Sequence, residues 1–218
     1  MVSAGSFQKP PTVGDCAAMY GKRGFPVKGW TLVVLAGGRA RRLGGIPKGL
    51  LRLPTGETVV EHLLELSEGP RFVSTNDPEA YERLDVPLVA DVMAERGAPG
   101  GVVTALAMAT TEWVVVVACD MPLVTREMID VLLAHRHQGI DAVCFSRDGE
   151  LEPLLGCFRR ELCHDWEARL EGHPSMRELI SGVRFDVVES AEPHRLMSLN
   201  SPADAESFWS EGASGTVA

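Results

Sequence analysis

The sequence predicts an α/β three-layer sandwich built on a mostly parallel, Rossmann-like sheet. Two runs carry that reading. Thr31 to Ala36 and Trp113 to Cys119 are continuously apolar or β-branched, as strands covered on both faces must be, and each gives way to a polar or glycine-rich segment followed by a helical pattern. Size agrees: 218 residues, 45% hydrophobic and 23% charged, make an ordinary globular chain that can bury a sizeable core.

Taken in order, Met1 to Gly29 mixes Gly, Pro, Ser and Lys without periodicity and reads as a flexible N-terminal extension. Residues 30–210 read as a single domain, with no Pro/Gly/Ser-rich linker dividing its halves, 30–139 and 140–210. The expected elements are a strand at 31–36, a glycine loop, a helix near 58–67, a strand at 71–75, a helix at 78–84 and a strand at 86–90. A loop, a helix at 101–109, a strand at 113–119 and a helix at 125–138 follow. Then the alternation changes. Strand-like Asp141 to Ser146 and Leu154 to Phe158 flank Asp148-Gly149, a strong hairpin signal. A helix at 159–170, another from Pro174, a strand at 184–188 and a last helix from Pro202 complete the chain.

The net charge of −9 argues against general nucleic-acid binding, but it hides an asymmetry. Residues 1–56 hold nine Lys or Arg against Asp15 alone, so the remainder carries twelve basic and twenty-nine acidic residues. Arg39, Arg41, Arg42, Lys48 and Arg52 fall within fourteen residues free of carboxylates, which suits a local anion site or a solvated basic loop. The longest apolar run, Trp113 to Cys119, is far short of the ~18 residues that cross a bilayer. Five cysteines without a Cys-x-x-Cys suggest reduced thiols and a cytoplasmic protein, with neither a disulfide framework nor a thiolate zinc site.

Three segments carry chemistry. Leu35-Ala-Gly-Gly-Arg-Ala-Arg-Arg-Leu-Gly-Gly-Ile-Pro-Lys-Gly follows the first strand directly, and glycines there let backbone N–H groups approach a ligand at the carboxyl edge of a parallel sheet, where such folds bind nucleotides. An ordinary βα turn would explain the glycine pairs alone; the four interleaved basic residues, with Arg52 just beyond, favour phosphates. No Gly-x-Gly and no Gly-Lys-Ser/Thr occurs, which excludes a dinucleotide loop and a P-loop. Asp120, in Cys119-Asp-Met-Pro, closes the most apolar strand at the same edge and suits Mg²⁺ escorting phosphates, or a turn before the next helix. Asp91 precedes Gly97-Ala-Pro-Gly-Gly, a loop able to wrap a base or a second substrate, or a plain connection. His135 and His137 are poorly spaced as joint metal ligands, and no nucleophile elbow is present.

Leu35-Ala-Gly-Gly, Arg42-Leu-Gly-Gly, Lys48-Gly-Leu-Leu, Cys119-Asp-Met-Pro, Glu152-Pro-Leu, Pro174-Ser-Met-Arg and Leu199-Asn-Ser-Pro resemble, in order and spacing, the molybdenum cofactor guanylyltransferases, the MobA-like NTP transferases. The likeness covers residues 31 to about 209 and implies a fold of the nucleotide-diphospho-sugar transferase type. It implies that 30–139 binds nucleotide and 140–210 binds acceptor, with GMP passing from GTP to Mo-molybdopterin and pyrophosphate released. The cofactor implied is Mg²⁺. The implied partners are GTP, the molybdopterin cofactor, and molybdopterin-delivering or molybdoenzyme-maturation proteins, with no nucleic acid or membrane. The resemblance places Leu35, Ala36, Gly37, Gly38, Lys48, Ser74, Asn76, Asp91 and Asp120 at the nucleotide, Asp120 at the metal, and Lys48, Asp120 and Arg42 at the reaction. Two departures stand out: Pro47 replaces an Asp before the loop lysine, and Ser74 stands where Asn is common. Transfer of CMP, a sugar-phosphate acceptor, or nucleotide binding without catalysis are the alternatives these departures leave.

Overall fold

A computed structural model describes residues 27–37, 46–93, 95–200 and 204. Alternation along the apolar strands sorts the core into two. In β1 (Val27–Leu35), Leu32 and Val34 face one side while Val33 and Leu35 face the other, and all four are buried. β4 (Thr111–Ala118) repeats the division, with Val115 and Val117 opposite Val114 and Val116. Helices therefore cover both faces. α1 (Val59–Glu65) and α3 (Arg126–Ala134) pack on the first, and α2 (Gly97–Met108), α4 (Leu162–Arg169) and α5 (Met176–Ser181) pack on the second.

Among the described residues the sheet has seven strands, completed by β2 (Arg71–Ser74), β3 (Leu88–Val89), β5 (Ala142–Arg147), β6 (Glu150–Arg159) and β7 (Phe185–Glu189), in the order β3-β2-β1-β4-β6-β5-β7. Pairings among β1, β2, β3 and β4 are parallel, as is β5 with β7. β6 runs antiparallel to both of its neighbours. Its direction follows from the Asp148-Gly149 turn, whose residues take φ of 54° and 77°, the left-handed pair that a tight hairpin needs. The sheet is thus mixed, with the parallel run β3-β2-β1-β4 gathered where the glycine loop leaves β1.

Several expected elements differ in extent. β1 begins at Val27, where a bulge before Trp30 carries the ladder with β4 past the apolar run. The helix expected at 78–84 is a single 3₁₀ turn, Pro78–Tyr81, and the strand expected at 86–90 shortens to two residues. Gly97-Ala-Pro-Gly-Gly is not a loop but the first turn and a half of α2, since Pro early in a helix forfeits only an N–H that would lack an intrahelical partner. The helix expected from Pro202 lies outside the described residues. Capping boxes start α1, through Thr58 and Glu61, and α5, through Ser175 and Glu178, which gives the serine of Pro174-Ser-Met-Arg a structural task. No described helix is long and apolar enough to cross a membrane.

Candidate functional site

At the carboxyl ends of β1, β2, β3 and β4 a cleft of about 1340 Å³ opens, the place where open α/β sheets bind ligands. Leu35, Ala36 and Gly37 form its floor. The Ala36 N–H donates to the Ser74 carbonyl at 2.8 Å, and the Cys119 N–H donates to the Leu35 carbonyl at 3.0 Å, so this backbone is held from both sides. Among the described residues a methyl group on Gly37 would meet nothing within 4 Å, as the position lines the cleft.

Lys48 stands on a 3₁₀ turn, Lys48–Leu50, that Pro47 opens at φ −55°. The Leu50 N–H returns to the Pro47 carbonyl at 2.9 Å, so the proline in place of the usual Asp pre-sets the turn without costing it a bond. Gly49 is required by space. A Cβ there would lie 3.0 Å from the Tyr81 hydroxyl oxygen and 3.2 Å from the Cys119 Cβ, and Tyr81 is buried. This close approach swings the Lys48 ammonium over the end of β4. Its Nζ donates to Asp120 Oδ2 at 2.8 Å and to Asn200 Oδ1 at 2.9 Å. The Leu199 N–H donates to the Asp120 carbonyl at 2.8 Å, tying the third member to the second.

The opposite wall carries Asp91. Ser74 Oγ donates to Asp91 Oδ1 at 3.1 Å, and Asn76 Nδ2 donates to Asp91 Oδ2 at 2.8 Å while the Asp91 N–H returns to Asn76 Oδ1 at 3.0 Å. Serine at 74 therefore still reaches the carboxylate. The amino end of α2 completes this wall through Gly97, Ala98 and Gly101, a helix N-terminus with its partial positive charge toward the cleft. Gly101 is small enough to lie against Leu35 and Asp91, where a Cβ would sit 3.4 Å and 3.6 Å away.

Among the described residues no group of three or more His, Cys, Asp or Glu could hold a metal by itself. Asp120 offers one carboxylate, and only its Oδ2 is bonded by Lys48. That fits Mg²⁺, which keeps most of its waters and is held by one or two carboxylates together with substrate phosphates. Cys119, next in sequence, is no nucleophile: burial, then the Asp120 charge, pushes its thiol up to about 12.

The sequence-based candidates Leu35, Ala36, Gly37, Lys48, Ser74, Asn76, Asp91 and Asp120 all line this one cleft. Gly38 and Arg42 lie outside the described residues. Sequence reasoning assigned no task to Asn200, although Leu199-Asn-Ser-Pro was visible, nor to Glu152, which starts the motif Glu152-Pro-Leu.

Residues 32–190 match the family model for the MobA-like NTP transferase domain. A molybdenum cofactor guanylyltransferase of Pseudomonas entomophila is 32% identical over 183 residues, 79% of this chain and 94% of the relative. A probable molybdenum cofactor guanylyltransferase of Carboxydothermus hydrogenoformans is 29% identical over 188 residues, 81% of this chain and 93% of the relative. Among solved structures, molybdopterin-guanine dinucleotide biosynthesis protein A from Archaeoglobus fulgidus superposes with a TM-score of 0.72 at 23% identity, covering 84% of this chain and 99% of its own. A CMP:2-keto-3-deoxy-manno-octonic acid synthetase complexed with CTP superposes with a TM-score of 0.65 at 13% identity, covering 86% and 99%, a likeness of fold alone. With a model matched from the first buried strand to the last and full-length relatives at this identity, the chain belongs to the MobA-like NTP transferases and is a nucleotidyltransferase.

Proposed function

We propose that this chain transfers GMP from GTP to the phosphate of molybdopterin in the cytoplasm, releasing pyrophosphate, with Mg²⁺ as cofactor. The observation that carries the reading is the cluster Lys48, Asp120 and Asn200 at the centre of the cleft, with Asp91 on the wall toward β3 and the β6 hairpin on the other side. The names of the relatives support guanylyl transfer in particular.

In this reading the Leu35 to Gly37 backbone seats the nucleoside and Asp91, held by Ser74 and Asn76, bonds the guanosine part. Lys48 has three N–H donors. Two hold Asp120 and Asn200, and among the described residues the third has no partner and can meet a phosphate oxygen. Asp120 would hold Mg²⁺, which when bound neutralises phosphate charge and fixes the triphosphate's path. An acceptor phosphate oxygen forms a bond to the α-phosphorus as the bond from that phosphorus to the bridging oxygen breaks, and the electron pair leaves with pyrophosphate. No general base is needed, because the acceptor phosphate is already ionised near neutral pH. Positioning and charge neutralisation supply the rate.

The test is pyrophosphate release from each nucleoside triphosphate with molybdopterin, beside thermal stabilisation by each with Mg²⁺. GTP should stand out in both, a ligand at ~100 times its Kd adding ~2.7 kcal/mol to stability. Equal use of CTP would refute guanylyl transfer, and stabilisation without pyrophosphate release would identify a binding protein.

A further inference from the structure

Glu152 sits at the same edge of the sheet, and the transfer reaction leaves it unused. β6 runs antiparallel to β4, so the beginning of β6 lies beside the end of β4: Leu155 pairs with Val117, and Leu154 lines the cleft. The ladder to β5 breaks here. Gly156 lies opposite Cys144 but Glu152 opposite the next residue, Phe145, so four steps on β6 answer one on β5. Pro153 sits inside that irregularity, where a missing N–H costs no ladder bond. Bulges of this kind re-aim side chains next to functional sites.

The surroundings of Glu152 are unfavourable for a carboxylate without a ligand. Burial raises its carboxyl above the ordinary glutamate range; the charge of Asp120 adds to this, while Arg147 on β5 and Arg177 on α5 oppose it. Its charge also reaches Cys144 on β5, whose thiol is held protonated by burial first and by that charge second. Arg177 spends its own bonds on Glu150 Oε2 at 2.6 Å and the Leu151 carbonyl at 3.1 Å. Among the described residues no N–H or O–H donor bonds the Glu152 carboxylate. A half-buried carboxylate without protein donors is left to water, which a ligand bringing two N–H groups would replace.

We propose that Glu152 is the acceptor-reading residue, accepting the two parallel N–H groups of a 2-amino-4-oxopyrimidine edge such as a pterin presents. The assignment rests on the acceptor reading given above. Guanine presents the same pair of donors, but the order of strands separates the two sources. Asp91 follows β3 on one flank of the cleft, Asp120 follows β4, and Glu152 lies on β6 beyond it. An acceptor whose phosphate meets the nucleotide beside Asp120 would extend its ring toward β6, away from the nucleoside wall.

The test is binding, measured without turnover, of free pterin and of lumazine, in which an oxygen replaces the 2-amino group. Fluorescence titration of the full chain should give pterin about tenfold the affinity of lumazine, one hydrogen bond to a charged group being at stake. Glu152→Gln should bring the two within about twofold while GTP affinity stays unchanged, and Glu152→Asp should keep part of the preference. The preference should be present above the raised Glu152 value and fade as pH falls through it, since only the ionised form accepts both N–H groups. The melting temperature of Glu152→Gln at neutral pH should not fall, because the fold disfavours the charge that the substitution removes. Equal binding of pterin and lumazine by wild type, a preference retained in Glu152→Gln, or a lower melting temperature in that variant would each overturn the assignment. Loss of GTP affinity instead of pterin affinity would move the carboxylate to guanine and overturn it too. Failure of GMP transfer by a chain that still prefers pterin would strike the proposed function and leave Glu152 standing.

Discussion

Lys48→Ala removes the ammonium that bridges Asp120 and Asn200, and its cost divides between fold and ligand. The side chains of Lys48 and Asp120 are 18% and 19% exposed, so their bond lies between a buried ion pair and a surface one. Charge-assisted bonds contribute ~1.5–3 kcal/mol when buried and ion pairs ~0–1 kcal/mol at the surface, which puts the loss of stability at ~1–2 kcal/mol. For a chain of this length that lowers Tm by about 2–8 °C. Basing the expectation on an exposed loop alone would give almost no loss. The triphosphate loses a charge-assisted contact of ~2–3 kcal/mol, a rise in Kd of about 30- to 150-fold. Titration of a fluorescent GTP analogue with Mg²⁺ at physiological ionic strength measures the second number and a thermal melt the first. A Kd within about threefold of wild type, in a variant whose Tm has fallen as expected, would make Lys48 a structural strut and refute its contact with phosphate.

Asp120→Asn should reduce Mg²⁺-dependent pyrophosphate release by at least ~100-fold while GTP still binds, the amide being a weak ligand for a hard cation; a magnesium titration of the rate checks it. Gly37→Ala should leave Tm within the ~0.5 kcal/mol scatter of surface changes, because its methyl enters open cleft, yet it should narrow the preference for GTP over CTP. Stabilisation by each triphosphate reads that preference. Gly49→Ala should cost ~1–3 kcal/mol by overpacking against Tyr81 and Cys119, and should weaken GTP binding by displacing Lys48; melts and the same titration read both effects.

The central strands were legible because β1 and β4 are buried on both faces and so spell continuous apolar runs. The β6 reversal was legible through Asp148-Gly149, whose backbone demand is local. The body of α2 was legible as a helix at 101–109, but its start was not: its first five residues include three glycines and a proline, residues that break helices in isolation. Packing against Leu35 and Asp91 outweighs propensity there. At the site, Asp91 and Asp120 declared themselves as acids at the ends of apolar strands, and Lys48 as a base in the glycine-rich loop. Asn200 did not, because its bond to Lys48 spans 152 positions and leaves no mark on local periodicity. Glu152 was hidden by the irregular ladder, which breaks the strand alternation that would have assigned its face.

The long span of that last bond bears on proteolysis. The last described strand, β7, ends at Glu189, before Asn200. A cut between them spares every described strand pairing but removes one of the two groups that hold the lysine ammonium. A chain clipped there would keep its sheet and lose part of the posture of Lys48, so that a mass consistent with the intact sheet would not by itself certify an intact site.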